Sequence, residues 1–246
     1  MPCFKKIIIS LMLMANSGFS QPIVDIEELR RSGELGTFRS AGISLDSSRG
    51  NENRDDFNIT LAYITNNESI ESLFVFNKSE RTKDNATEDE STFGHARILW
   101  KLDRTFDFET YIQTTENPFQ SYKKRNLIGA GIRFNKVQKY KVGLSILKEK
   151  EETLNGVKKD TDRLNMYVHR ETNFNNDLSL DTSLFLQPSI DQPNEDFKAS
   201  LLLSLNIPIS KKFNIQIQFS ESIDKDPPDL ANESDQSFST NFIYKF

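Results

Sequence analysis

Ser237-Phe238-Ser239-Thr240-Asn241-Phe242-Ile243-Tyr244-Lys245-Phe246 closes the chain on a polar/apolar alternation and a terminal aromatic. Successive strand side chains point to opposite faces, so Phe238, Thr240, Phe242, Tyr244 and Phe246 share one face. Ser239, Asn241 and Lys245 take the other, with Ile243 its apolar exception. Such a segment either closes a soluble β domain as an ordinary edge strand or turns an aromatic face towards lipid. The remainder of the chain has to choose.

The same period recurs upstream. Phe57-Ile59-Leu61-Tyr63, Ala96-Ile98-Trp100-Leu102, Phe106-Phe108-Thr110-Ile112 and Ile128-Ala130-Ile132-Phe134 are clear cases. Tyr140-Val142-Leu144-Ile146, Leu178-Leu180-Thr182-Leu184-Leu186, Phe197-Ala199-Leu201-Leu203-Leu205-Ile207 and Phe213-Ile215-Ile217-Phe219 follow. Strict alternation over such runs predicts strands with one apolar face. Weaker candidates lie near 37–46, 69–78 and 163–173, and Leu73-Phe74-Val75-Phe76 is apolar on both faces. The pattern predicts an all-β chain of about twelve strands.

The connections alternate in length. Long ones fall near 46–55, 79–91, 115–123, 149–162, 188–196 and 221–236, and short ones near 66–68, 103–104, 136–139, 174–177 and 208–211. A transmembrane barrel sorts its loops this way, with short periplasmic turns on one rim and long extracellular loops on the other. A Greek-key sandwich has no reason to do so. The predicted fold is therefore a single antiparallel up-and-down transmembrane β-barrel, with a secreted β-sandwich binding module as the alternative. The last strand then resembles the closing strand of bacterial outer-membrane barrels, which implies that Phe238, Phe242, Tyr244 and Phe246 carry the signal read by the barrel-assembly machinery. The long segments are hydrophilic, and Lys148-Glu149-Lys150-Glu151-Glu152 reads as the opening of a solvated loop.

The N-terminus fits export. Lys5 and Lys6 precede the apolar run Ile7–Met14 and small or polar residues up to Ser20. This pattern predicts a secretory signal peptide over 1–20. Its apolar run is far shorter than the ~20 residues of a spanning helix. Cys3 precedes the run and leaves with it. Residues 21–35 lack alternation and read as a periplasmic lead-in, a short amphipathic helix or a partial plug, and 36–246 as the barrel.

Without Lys5 and Lys6 the chain holds 29 basic and 36 acidic residues, a net charge of -7. Such a balance, with no basic block, argues against nucleic acid as a partner. Hydrophobic residues make up only 36%. That is compatible with a barrel, where only alternate strand residues meet lipid, and nineteen Phe supply much of that surface.

Arg125-Asn126-Leu127-Ile128-Gly129-Ala130-Gly131-Ile132-Arg133, preceded by Glu109 and Gln113, resembles the salt-induced outer-membrane protein family, a group named as a domain of unknown function. Asp226-Pro227-Pro228 with Asp235 before the last strand, and Gly33-Glu34-Leu35-Gly36, add to the resemblance. It covers roughly 33–246, and implies an outer-membrane barrel with no catalytic residues.

Catalytic and metal motifs are sparse. His95 is followed by Ala96-Arg97 and His169 by Arg170-Glu171, so neither shows the His-x-Ser arrangement of outer-membrane phospholipases. Two histidines without a mature cysteine make a poor transition-metal set, and no cofactor is expected. An outer-membrane lipid hydrolase is a minor alternative. Asp224, Asp226, Asp229, Glu233 and Asp235 could hold Ca²⁺, although a solvated acidic loop explains them as well.

If the apolar stripes face lipid, the lumen receives Arg97, Lys101, Arg133, Lys139, Lys141, Lys198 and Lys245 with Asp107, Glu109 and Asp181. Tyr111, Gln216 and Gln218 lie among them. Unpaired charge cannot stay dry, so these groups either pair across a narrow, closed lumen or line a wet path favouring small anions. The first is the expected state of an outer-membrane protein in contact with membrane lipid. The second makes it a small-solute channel.

Overall fold

A computed structural model of the chain describes residues 35–48, 54–84, 86–103, 105–117, 122–137, 140–174, 178–210, 213–227 and 232–244. The expected leader, the lead-in before Leu35, Lys139, Lys245 and Phe246 lie outside the described residues.

Twelve strands follow one another. They are β1 (Gly36–Ser48), β2 (Arg54–Asn66), β3 (Ile70–Lys83), β4 (Ala86–Lys101), β5 (Phe106–Asn117) and β6 (Tyr122–Val137). Then come β7 (Tyr140–Thr153), β8 (Lys158–Asn173), β9 (Ser179–Pro188), β10 (Phe197–Pro208), β11 (Phe213–Asp224) and β12 (Ser234–Tyr244). Each pairs antiparallel with its sequence neighbours, in the spatial order β1 to β12. This is an up-and-down meander, and no helix is present among the described residues.

The sheet is turned inside out relative to a soluble one. Ile112, Ile128 and Ile146 are 57%, 60% and 61% exposed, whereas Arg125, Arg133, Arg163, Glu109 and Glu149 are at most 1% exposed. No second layer covers the polar face among the described residues, so only the opposite wall can shield it. Contacts across the polar face confirm the curl. Tyr167 on β8 reaches Glu109 on β5 at 3.3 Å, although strands three apart lie about 14 Å from each other in a flat sheet. The chain is a twelve-stranded up-and-down β-barrel with its apolar stripes outward.

Register explains the ambiguous stretch. Leu73 pairs with Ile64 and Val75 with Ala62, all inward. Together they form a small apolar cluster on the lumen wall, with Phe38 and Phe93 packed against it. Phe74 is exposed on the outer face.

On the short rim, side-chain oxygens close the turns. Asn67 Oδ1 accepts from the Ser69 and Ile70 N–H groups at 2.9 and 2.8 Å. Asp103 Oδ1 accepts from Phe106 N–H at 2.8 Å. These are Asx turns, the local alternative to a backbone turn.

The opposite rim corrects the expected loops. Much of 79–91 is strand, with β3 and β4 turning at Asp84 (φ 48°). Much of 149–162 is strand as well, and Lys148-Glu152 belongs to β7. Residues charged on both faces read as solvated loop by composition. Here each face finds counter-charges on the paired strand. The lengths at this rim are therefore carried partly by tall hairpins.

Candidate functional site

The lumen wall comes directly from register. Arg97, Tyr111, Gly129, Leu147 and Arg163 form one row across β4 to β8. Beside it, His95, Gln113, Leu127, Glu149 and Thr161 form the next. Period 2 sends each of these side chains inward.

The upper lumen, towards the tall hairpins, holds an ion network. Glu149 receives the guanidinium groups of both Arg125 and Arg163, and Lys198 Nζ lies 3.5 Å from it. Lys198 also donates to Glu151 at 2.6 Å and meets Asp224 at 3.1 Å. Arg125 reaches Glu151 at 3.3 Å, and Arg163 reaches Asp196 at 2.7 Å. Lys159 pairs with Asp196 at 2.8 Å and also with Asp226. Four cations and five carboxylates thus tie β6, β7, β8, β10 and β11 to two rim connections. Burying charge is tolerated when each group meets groups of opposite sign.

At the rim itself, burial weighs most on Asp196 and pushes its carboxyl up. Hydrogen bonds from Lys159 and Arg163, together with their charges, outweigh it and hold the group below the usual range.

The middle of the lumen is packed. Arg97 Nη1 donates to Glu109 Oε2 at 3.2 Å and its guanidinium lies 4.9 Å over the Tyr111 ring. Tyr111 shares a hydrogen bond with Ser145 at 3.0 Å, Asn165 donates to Ser145 at 2.9 Å, and Gln187 donates to Asn165 at 2.9 Å. Two glycines make room for the rings. A Cβ on Gly129 would come within 2.3 Å of Tyr111, and one on Gly143 within 2.0 Å of Tyr167. The glycine of the Arg125–Arg133 motif that faces Tyr111 is therefore a slot in the lumen wall.

The residues expected in the lumen can now be placed. Arg97, Asp107, Glu109, Arg133 and Lys198 are inward and buried. Asp107 stands opposite Arg133 in register, and Lys141 opposite His169. Lys101 donates to Asn66 Oδ1 at 2.6 Å near the short rim. Asp181 accepts from Asn206 at 2.9 Å. Gln216 and Gln218 face the lumen and donate to Asn206 and Ser204. On the last strand Phe238 is exposed on the outer face, while Phe242 and Tyr244 occupy positions opposite Ile215 and Phe213.

Charge counting from sequence missed Arg125, Arg163, Glu149, Glu151 and Asp224. Adding them to the expected set turns seven basic against three acidic groups into nine against six, which narrows the basic excess. Asp224 and Asp226, considered for Ca²⁺, instead serve as counter-ions to Lys198 and Lys159. Among the described residues no cluster of three metal-ligating side chains occurs. Sequence also missed a pairing across strands: His169 Nδ1 and Ser183 Oγ lie 2.8 Å apart, with Asp181 4.0 Å from Nε2. Both His169 and Ser183 are buried among the lumen side chains.

Among solved structures, the NanC porin is similar at 11% identity and a TM-score of 0.46, over 85% of this chain and 99% of that one. The β domain of the Bordetella autotransporter BrkA is similar at 10% identity and a TM-score of 0.34, over 85% and 97%. No curated protein matches the chain. A family model described as "Protein of unknown function, DUF481" matches residues 41–246, so the chain belongs to that family.

Proposed function

We propose that the chain is an outer-membrane barrel whose lumen is closed by its own side chains, serving the envelope as a structural or surface protein. The observation that carries this reading is the buried ion network of Arg125, Glu149, Arg163 and Lys198 stacked on the Tyr111 and Tyr167 layer. The outward apolar band supports a membrane setting, because a soluble monomer rarely leaves so much contiguous apolar surface in water. In this reading the tall hairpins face the cell surface, the termini lie in the periplasm, and the last strand meets the assembly machinery.

A second reading is a narrow anion path. Arg97 Nε and Arg163 Nη2 are buried without a protein hydrogen bond, and only water or an anion would satisfy them. Catalysis is not part of the proposal. Ser183 is only 1% exposed, which leaves an acyl substrate little room at its hydroxyl.

Fractionation of expressing cells, with gels run before and after boiling, tests the membrane barrel. A faster unboiled band in the outer-membrane fraction supports it, and soluble protein without a heat shift overturns it in favour of the secreted sandwich. Planar-bilayer recording tests closure. Silent insertion supports the closed lumen, while steady anion-favouring conductance supports the channel, and Lys141→Glu should then shift its reversal potential towards cations.

A further inference from the structure

The inner wall is not equally dry all round. In the middle of the lumen the side chains of Arg97 and Glu109 are 3% and 0% exposed. At the tall-hairpin end of β2 and β3, those of Arg81 and Asp56 are 23% and 15% exposed. Water therefore reaches into the lumen along β2 to β4, the wall that carries none of the Glu149 network. Below the Arg81–Asp56 pair and above the apolar cluster of Ala62, Leu73 and Val75, the inward positions are Asn58, Thr60, Asn77, Ser79, Ser91 and Phe93. None of them is charged, and all but Ser91 are half-buried.

Register makes these six a compact group. Thr60, Asn77 and Phe93 form one row, and Asn58, Ser79 and Ser91 form the row above it, each spanning about 10 Å across three strands. Hydrogen-bond direction fixes what the amides still offer. Asn77 Nδ2 donates both its protons, to Thr60 Oγ1 at 2.9 Å and to Asn58 Oδ1 at 3.3 Å. Thr60 donates its own proton to Asn58 Oδ1 at 3.2 Å. Asn58 Nδ2 and Asn77 Oδ1 are left without protein partners, one a donor and the other an acceptor. Phe93 sets an aromatic ring opposite Asn77, parallel to the ring of His95. Open amide groups beside a hydroxyl and a ring suit a sugar, whose hydroxyls both donate and accept and whose C–H face packs on an aromatic. A charged ligand would give up its hydration here, and the nearest charges at the rim, Arg81 and Asp56, already pair at 2.8 Å.

We propose that this recess binds a neutral saccharide, with sugar hydroxyls on Asn58 Nδ2 and Asn77 Oδ1 and a pyranose face against Phe93. The assignment rests on the outer-membrane reading, in which the tall hairpins turn the recess towards the cell surface. It needs no passage through the lumen, because the sugar enters and leaves by the same rim.

The test is calorimetric titration of the full chain in a detergent without a sugar head group, with the heat shift measured on each preparation. Maltotriose, mannotriose and galactotriose are the probes, and glucuronic acid and glucosamine are the charged comparators. At least one trisaccharide should bind, and severalfold more tightly than either charged sugar. Asn58→Asp keeps the acceptor for Thr60 and Asn77 but loses the donor, and should weaken binding about tenfold. Phe93→Leu should weaken it severalfold, while Gln218→Glu, on the β10–β11 wall, should leave it unchanged. Asn58→Ser replaces Asn58→Asp if that variant loses its heat shift. Amylose, mannan and galactan separate the two sources of such a sugar. A polymer bound as tightly as its trisaccharide supports the end of a surface glycan, and an excluded polymer supports a free solute. No binding by any trisaccharide, equal binding of the charged sugars, or undiminished affinity in the Asn58 and Phe93 variants would overturn the inference. If no preparation shows the heat shift, the outer-membrane reading fails first.

Discussion

Lys148-Glu149-Lys150-Glu151 carries two regions of the molecule on one strand. The glutamates point inward and are buried among Arg125, Arg163 and Lys198, while the lysines point outward and meet Asp162 and Asp160 in solvent-exposed pairs. Both sides pair acids with bases, and the sequence spacing is the same. What differs is the surroundings. Outside, water and salt screen each pair and side-chain entropy opposes it, so such contacts are worth little. Inside, the charged groups are shielded from bulk solvent and lean on one another, so removing one member strands the others.

The largest effect should come from breaking the inner side. Glu149→Gln leaves Arg125 and Arg163 without their shared carboxylate and should cost about 3–5 kcal/mol. It would be read as a lower temperature at which the fast-migrating folded band disappears. An unchanged transition would show that the upper lumen is wet and exchangeable.

Next come the aromatic slots. Gly129→Ala or Gly143→Ala drives a methyl into Tyr111 or Tyr167 and should cost about 1–3 kcal/mol as overpacking. Pairing Gly129→Ala with Tyr111→Phe should recover little, because it is the ring, and not only its hydroxyl, that fills the slot. Full recovery would shift the clash to the hydroxyl.

A smaller, pH-dependent effect is expected where the network reaches the rim. The Asp196 carboxyl is held below its ordinary range, so its contribution is complete above about pH 4 and is lost as pH falls through the lowered value. Protease cleavage within 189–196 should therefore stay flat from neutral pH to mildly acidic conditions and rise only under strong acid. Asp196→Asn should make cleavage high at every pH. A rise already near pH 6 would mean that another group holds the connection.

The outer pairs should matter least. Lys150→Ala should change stability by only ~0–1 kcal/mol, within the scatter of the same heat-shift assay. A loss comparable to that of Glu149→Gln would erase the contrast between the two faces.

How much of this was legible beforehand depends on which signal each residue carried. The apolar stripes at Ile128-Ala130-Ile132 and Val142-Leu144-Ile146 announce their strands because one face differs from the other. Lys148-Glu152 has no such contrast, since both of its faces are charged, and composition alone makes it a loop. Arg163 sits at the start of a stretch whose faces are ambiguous, so its inward aim was invisible. Arg125 and Gly129 stood out within a motif, but a motif does not say that a guanidinium will meet Glu149 or that a glycine will receive Tyr111.

The sequence by itself determined the strand count, the alternation of faces and the order of the meander, because a period of two is a local property of the backbone. It also placed Arg97, Glu109, Arg133 and Lys198 on the polar face. Only the tertiary structure decided which of these groups meet. Lys198 on β10 reaches Glu149 on β7, and Tyr167 on β8 reaches Glu109 on β5, because the sheet curls until strands far apart in the order share one interior. The curvature and stagger of the whole wall set those distances, and no short window of residues encodes them.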